Sequence, residues 1–185
     1  MEPNMFCYQC QETAKGTGCI LKGVCGKESH TAQAMDLLLF VVRGVSVVAD
    51  VLRKADCPVS EEVNIFVTDA LFCTITNANF DDESILKRVD KGITMRNGLI
   101  QEAKHNKVLL PKVDELTWQG TRDDYAGKAK TVGVLREQNE DLRSLKELLV
   151  YGLKGMAAYL EHAMRLGFND DTVHVFMQRA LATIA

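Results

Sequence analysis

Proline is scarce in this sequence, at 3 of 185 residues, and long hydrophobic runs are missing. The longest unbroken apolar run covers residues 37–42, whereas a membrane-spanning helix needs roughly 20 apolar residues. An excess of one charge is also missing, because 22 Lys and Arg face 25 Asp and Glu, for a formal net charge of −3. We therefore expect a soluble chain that binds neither a membrane nor nucleic acid.

A secretory signal is not found at the N-terminus either, which lacks the required cationic and apolar regions. Cysteine, in contrast, is concentrated: four of the six cysteines lie between residues 7 and 25. In a small secreted protein such a cluster would indicate a disulfide framework, but this chain is too long for that class. Clustered thiols in a reducing cytosol are more often metal ligands, so we expect a cytoplasmic protein with a metal centre.

The scarcity of proline and of strict apolar–polar alternation predicts an all-α fold. From Ser29 onward, apolar residues recur every three or four positions and predict a helix that ends before Pro58. The same signals predict helices over about 60–74, 82–105, 139–166 and 170–185, with a short one around 123–131. The apolar stripe of the last helix reaches Ala185 without a cap, which predicts further protein or a partner beyond it.

The clustered cysteines are Cys7, Cys10, Cys19 and Cys25, with the spacing Cys-x2-Cys-x8-Cys-x5-Cys. Four thiolates suit either tetrahedral zinc or an iron–sulfur cluster. Zinc modules usually pair two short cysteine hooks, and the five-residue gap in the second half is not such a hook. The spacing favours an iron–sulfur cluster, and structural zinc or free or disulfide-bonded cysteines are the alternatives.

Three stretches of the chain are distinctive as sequences. The cysteine segment contains MFCYQCQET at residues 5–13, GC at 18–19 and GVCGK at 23–27. Two later stretches are LFCTITNANFD at 71–81 and YGLKGMAAYLEHA at 151–163. Together they resemble the hybrid cluster proteins, also called prismane proteins, and the resemblance covers essentially the whole chain.

The resemblance implies a [4Fe-4S] cluster on the four clustered cysteines, although relatives with wider spacing hold a [2Fe-2S] cluster. It also implies an α-helical domain of two roughly three-helix bundles behind a cluster-binding segment at residues 1–27. The first bundle would comprise residues 28–58 and 139–185, and the second, inserted bundle would comprise residues 59–138.

Hybrid cluster proteins continue into two α/β domains, which provide the ligands of the hybrid cluster that reduces hydroxylamine or nitric oxide. The resemblance therefore implies that this chain is an electron-transfer module that lacks those ligands and is inactive as a reductase alone. Its partners would be an electron donor protein and the remaining α/β domains, or another protein that covers the exposed C-terminal helix face. The alternative is a structural module, in which zinc or a redox-silent cluster serves folding and assembly.

Two features outside the cysteine segment also lead to expectations. Gly152 and Gly155 lie inside the predicted fourth helix, where each costs about 1 kcal/mol relative to Ala. We expect another helix or the cysteine segment to cross closely there. His30, five residues after Cys25, is interpreted as a cap of the first helix rather than a ligand.

Overall fold

The computed structural model describes residues 5–185, which form seven α-helices. The helices are α1 (Ser29–Lys54), α2 (Glu61–Cys73), α3 (Asp82–His105), α4 (Asp114–Thr117), α5 (Tyr125–Val132), α6 (Glu140–Arg165) and α7 (Asp171–Thr183). Within this range the chain forms an isolated β-bridge but no strand, so the all-α prediction is confirmed. No helix in the described part of the chain is long and apolar enough to cross a bilayer.

Side-chain caps explain why the starts of α6 and α7 could be predicted. Asn139 Oδ1 accepts a hydrogen bond from the Leu142 backbone N–H at 2.9 Å, at the start of α6. The Asp170 carboxylate accepts one from the Thr172 N–H at 2.8 Å, at the start of α7. These bonds satisfy N–H groups that have no partner inside the helix. Periodicity did not predict α4, because four residues are too few to show it.

Helix α1 is the central element and lies against α2, α3, α5 and α7. Its side chains are buried on several sides, as Leu37, Leu38 and Phe40, which point in different directions around the helix, show with 0% exposure. The apolar core continues without a break to α6, through Leu153 and Ala157. The division into a first and an inserted second bundle stays a prediction.

Hydrogen bonds from a buried arginine fix the irregular connection after α3. Arg96 on α3 is fully buried, and its guanidinium donates to the backbone carbonyls of Glu115 and Trp118, both at 2.8 Å. The carbonyl of Glu115 lies so close to α1 that a Cβ atom on Gly44 would be 2.5 Å from it. Gly44 therefore allows α4 to pack on the central helix.

Replacing Gly44 with Ala is expected to destabilise the chain by about 2 kcal/mol, because the added methyl group meets a fixed backbone oxygen. The matched control is Gly98→Ala on α3, where an added Cβ has no neighbour within 4 Å. There the better helix propensity of Ala should raise the free energy of unfolding by up to about 1 kcal/mol. Urea unfolding measures both, and equal effects of the two substitutions would contradict this account of the packing.

Candidate metal centre

Two of the predicted ligands, Cys7 and Cys19, lie side by side in the structure. They form an antiparallel bridge, in which the Cys7 N–H donates to the Cys19 carbonyl at 3.0 Å and the Cys19 N–H donates to the Cys7 carbonyl at 2.9 Å. The Ala14 N–H lies 3.5 Å from the Cys19 sulfur. Cys19 is 3% exposed, and Cys7 is half-buried. The bridge thus brings together two thiols that are twelve residues apart in the chain, at a site that is partly shielded from solvent.

Of the other two predicted ligands, Cys10 is half-buried like Cys7, and Cys25 is exposed. A Cβ on Gly23 would lie 3.0 Å from the Cys25 sulfur, so the backbone at Gly23 passes close to this thiol. All six cysteines are free. Within residues 5–185, no three Cys, His, Asp or Glu side chains lie close enough together to bind one metal ion. The four-cysteine ligand set therefore stays a prediction.

Glycine is required at one turn of the segment for two reasons. Gly18 has a φ of +121°, a backbone conformation that other residues rarely adopt. A Cβ there would also lie 2.7 Å from the Phe6 ring. This turn places Cys19 opposite Cys7.

The three stretches that carry the family resemblance meet in space. The hydroxyl of Thr76, which follows α2, donates a hydrogen bond to the backbone carbonyl of Gln9 at 3.3 Å. Gln9 lies between the first two cysteines. The ammonium of Lys154 on α6 donates a hydrogen bond to the Thr74 carbonyl at 3.2 Å. The turn after α2 thereby links the cysteine segment to α6. Sequence reasoning missed these contacts, although all the residues lie inside the three distinctive stretches.

The charges around Cys7 favour an anion. Burial raises the pKa of the Cys7 thiol, and this effect is opposed by attraction to Lys27, by a backbone hydrogen bond at Gln9 and by attraction to Lys154. Lys27 is 1% exposed, and its ammonium lies 3.2 Å from the Met35 sulfur. No carboxylate of the described residues lies within 4.0 Å of that ammonium. A buried cation that has no carboxylate partner among the described residues, in the same segment as a pair of thiols, fits an anionic thiolate–metal group.

A cavity of about 1050 Å³ adjoins the cysteine segment. Its lining includes Cys7 and Cys10, together with Asp36 on α1 and Glu147 and Lys154 on α6. Burial raises the pKa of Asp36 to about 7 and lowers the pKa of Lys154 to about 8, while their mutual attraction works against both shifts. Asp36 interrupts an apolar stretch of α1, which was the available sequence signal for this site.

Two of the smaller expectations are wrong. An added Cβ on Gly152 or Gly155 would meet no neighbour within 4 Å, so nothing in residues 5–185 crosses α6 there. Both glycines lie on an exposed face of the helix, together with Tyr151 and Tyr159. His30 does not cap α1, because its Nδ1 atom lies 2.5 Å from the Asp82 carboxylate and ties α1 to α3.

Comparison with known proteins agrees with the resemblance. The signature of the Prismane/CO dehydrogenase family matches residues 5–185. The hydroxylamine reductase of Bacteroides thetaiotaomicron is 54% identical over 182 residues, which are 98% of this chain and 32% of that protein. For the hydroxylamine reductase of Porphyromonas gingivalis the identity is 49%, over 98% of this chain and 33% of the relative.

A more distant relative shows the same pattern. The hydroxylamine reductase of Desulfitobacterium hafniense is 46% identical over 97% of this chain and 33% of its own length. The chain thus spans about a third of the length of these relatives. The family match and these identities show that the chain belongs to the Prismane/CO dehydrogenase family.

Proposed function

We propose that this chain is the electron-transfer module of a hybrid cluster protein, with a [4Fe-4S] cluster held by Cys7, Cys10, Cys19 and Cys25. The observation that carries the proposal is the Cys7–Cys19 bridge in a segment that also holds the buried ammonium of Lys27, which has no carboxylate within 4.0 Å among residues 5–185. Free thiols alone would not need a buried cation in the same segment. An anionic cluster with thiolate ligands would offset the free-energy cost of burying the Lys27 ammonium.

The residues around the bridge would position and shield the thiolates. Burial of Cys19 and half-burial of Cys7 limit the access of water, and the N–H of Ala14 already points at one sulfur. Solvent exposure and hydrogen bonds to sulfur are two of the factors that set the potential of such a cluster. When bound, the cluster supplies one-electron transfer.

The chemistry served by these electrons would lie outside this chain. The relatives are called hydroxylamine reductases, and we propose that the electrons pass to a hybrid cluster that reduces hydroxylamine or nitric oxide in the whole protein. The 185 residues by themselves would be inactive as a reductase. The proposed location is the cytoplasm, where thiolate ligands stay reduced.

Two kinds of partner follow from the proposal. An electron donor protein would reach the cluster, and exposed Cys25 lies beside exposed Val24 on the surface of the segment. The remaining α/β domains of the whole protein, or another protein, would cover the exposed face of the C-terminal helix, which is α7. On α7, Phe176 is 52% exposed, whereas Met177 and Leu181 of the same apolar stripe are buried against the rest of the chain.

Anaerobic reconstitution with iron and sulfide tests the proposal. We expect about four irons per chain and an absorbance band near 400 nm that dithionite bleaches. A reduced sample should give an EPR signal of a one-electron-reduced cluster. Tight stoichiometric zinc without inorganic sulfide, in protein purified without oxygen, would instead support the structural module.

A further inference from the structure

The solvent-exposed face of α6 is uncharged over residues 145–159. Surface helices normally carry charged and polar side chains on the face that meets water. The opposite face of α6 packs on α2 and α7, so the apolar character of the exposed face is not needed for the fold of the chain. Contiguous exposed apolar surface of this kind marks a contact with another protein surface. The exposed positions are Leu145, Leu148, Tyr151, Gly152, Gly155 and Tyr159.

Two glycines lie in the middle of this face. Gly152 and Gly155 each destabilise the helix relative to Ala. Their own surroundings do not require glycine, since neither has a positive φ and an added Cβ would meet no neighbour within 4 Å in the described part of the chain. What they provide is a low surface, on which the backbone of a second helix can approach closely.

The spacing along the face fits a second copy of α6. Positions 141, 145, 148, 152, 155, 159, 162 and 166 are all exposed and follow one another at alternating steps of three and four residues, as in helices that pack along each other. These steps read the same in both directions, so two copies of α6 can meet antiparallel with a two-fold axis between Gly152 and Gly155. Gly152 then faces Gly155 of the second copy, and Leu148 faces Tyr159 of the second copy.

The charges at the two ends of the face favour the same antiparallel arrangement. Glu140 and Asp141 are exposed at the start of α6, and Arg165, which also pairs with Glu161, is 73% exposed at its end. In this register Asp141 of one copy lies next to Arg165 of the other, and the two-fold axis repeats the contact. A parallel pair would place like charges together. A face that contacts an unrelated surface has no need to be complementary to itself.

We propose that this face of α6 is the interface of a homodimer, in which two chains pack antiparallel with Gly152 and Gly155 at the crossing point. The contact involves none of the clustered cysteines, so the inference does not depend on the proposed function. The competing occupant of the face is the part of the longer relatives that this chain does not match. The mass of the chain in solution separates the two.

Sedimentation equilibrium of the metal-free chain at micromolar concentrations should show twice the mass of one chain. Combined Gly152→Ala and Gly155→Ala substitutions are expected to raise the dimer dissociation constant roughly tenfold or more, because the added methyl groups hold the two helices apart. The same substitutions should stabilise the dissociated chain against urea, since Ala favours the helix. The matched control is Gly98→Ala on α3, an exposed glycine with equally open surroundings, which should leave the dissociation constant unchanged.

A charge exchange tests the orientation. Asp141→Arg should raise the dissociation constant severalfold at low ionic strength, because the new cation meets Arg165 of the second copy. Adding Arg165→Asp should restore the dimer, and failure to restore it would contradict the antiparallel register.

Two further outcomes overturn the inference. A wild-type chain that stays monomeric at all concentrations leaves the face to the part of the longer relatives that is not matched here. A dimer that the glycine substitutions do not weaken forms through a different surface. Should the double alanine variant fail to fold, Tyr159→Glu decides, because its charge would lie opposite Leu148 of the second copy and should also raise the dissociation constant roughly tenfold or more.

Discussion

Replacing Cys19 with serine is expected to abolish the iron–sulfur cluster in the reconstituted chain. The Cys19 thiol is the most buried of the four predicted ligands, and its backbone exchanges two hydrogen bonds with Cys7. A serine hydroxyl is a poor substitute for a thiolate, which is the ligand that iron–sulfur clusters require. The backbone hydrogen bonds do not involve the sulfur, so the bridge itself should persist. Iron and sulfide analysis and the absorbance near 400 nm measure the outcome.

Cys57→Ser is the matched control for this experiment. Cys57 is half-buried, lies outside the cysteine segment and is not among the predicted ligands. The control should retain full iron content, while Cys19→Ser should lose most of it with little change in far-UV circular dichroism. Equal iron content in the two variants would rule out Cys19 as a ligand. Loss of helical structure in Cys19→Ser together with zinc in the wild type would favour the structural module.

The fold was largely predictable because most of its elements are long and amphipathic. The predicted third helix, 82–105, has the bounds that α3 (Asp82–His105) shows. Helix α4 could not be predicted in this way, since its order depends on the hydrogen bonds of Arg96 to backbone carbonyls nineteen and twenty-two residues away. Contacts to backbone atoms leave no periodic pattern in the sequence.

The site was predictable in its ligand types but not in its surroundings. Cysteine spacing and the family resemblance both indicated the segment as a metal site, since closely spaced cysteines are most often metal ligands outside disulfide-rich proteins. Nothing in the local pattern distinguishes Lys27, which is buried, from Lys22, which is exposed. Their difference depends on how the segment packs on α1. In the same way, the open space beside Gly152 depends on where the neighbouring helices lie, which the local sequence does not determine.

Asp36→Asn is expected to stabilise the metal-free chain at alkaline pH. Burial raises the pKa of Asp36 from 3.8 to about 7, against the opposing attraction of Lys154, Arg43 and Lys27 and with added repulsion from Glu147. Between these two pH values the folded chain retains a proton that the unfolded chain has released. The wild type therefore loses stability as the pH rises through this window, which is the reverse of a carboxylate held in a favourable ion pair.

Asparagine removes the cost of ionising this side chain inside the protein. We expect the free energy of unfolding at pH 8 to rise by about 2–4 kcal/mol in Asp36→Asn, and the gain to vanish near pH 4. The control is Glu102→Gln, an exposed position on α3, which should show no such pH dependence. Urea unfolding from pH 4 to pH 8 measures both.

Asp36 lowers the folding stability of the chain at pH 8, and it lines the same cavity as Cys7 and Cys10. Such a carboxyl group is better explained by function than by folding. Destabilisation by Asp36→Asn at pH 8 would instead show that the carboxylate forms a net favourable pair with Lys154.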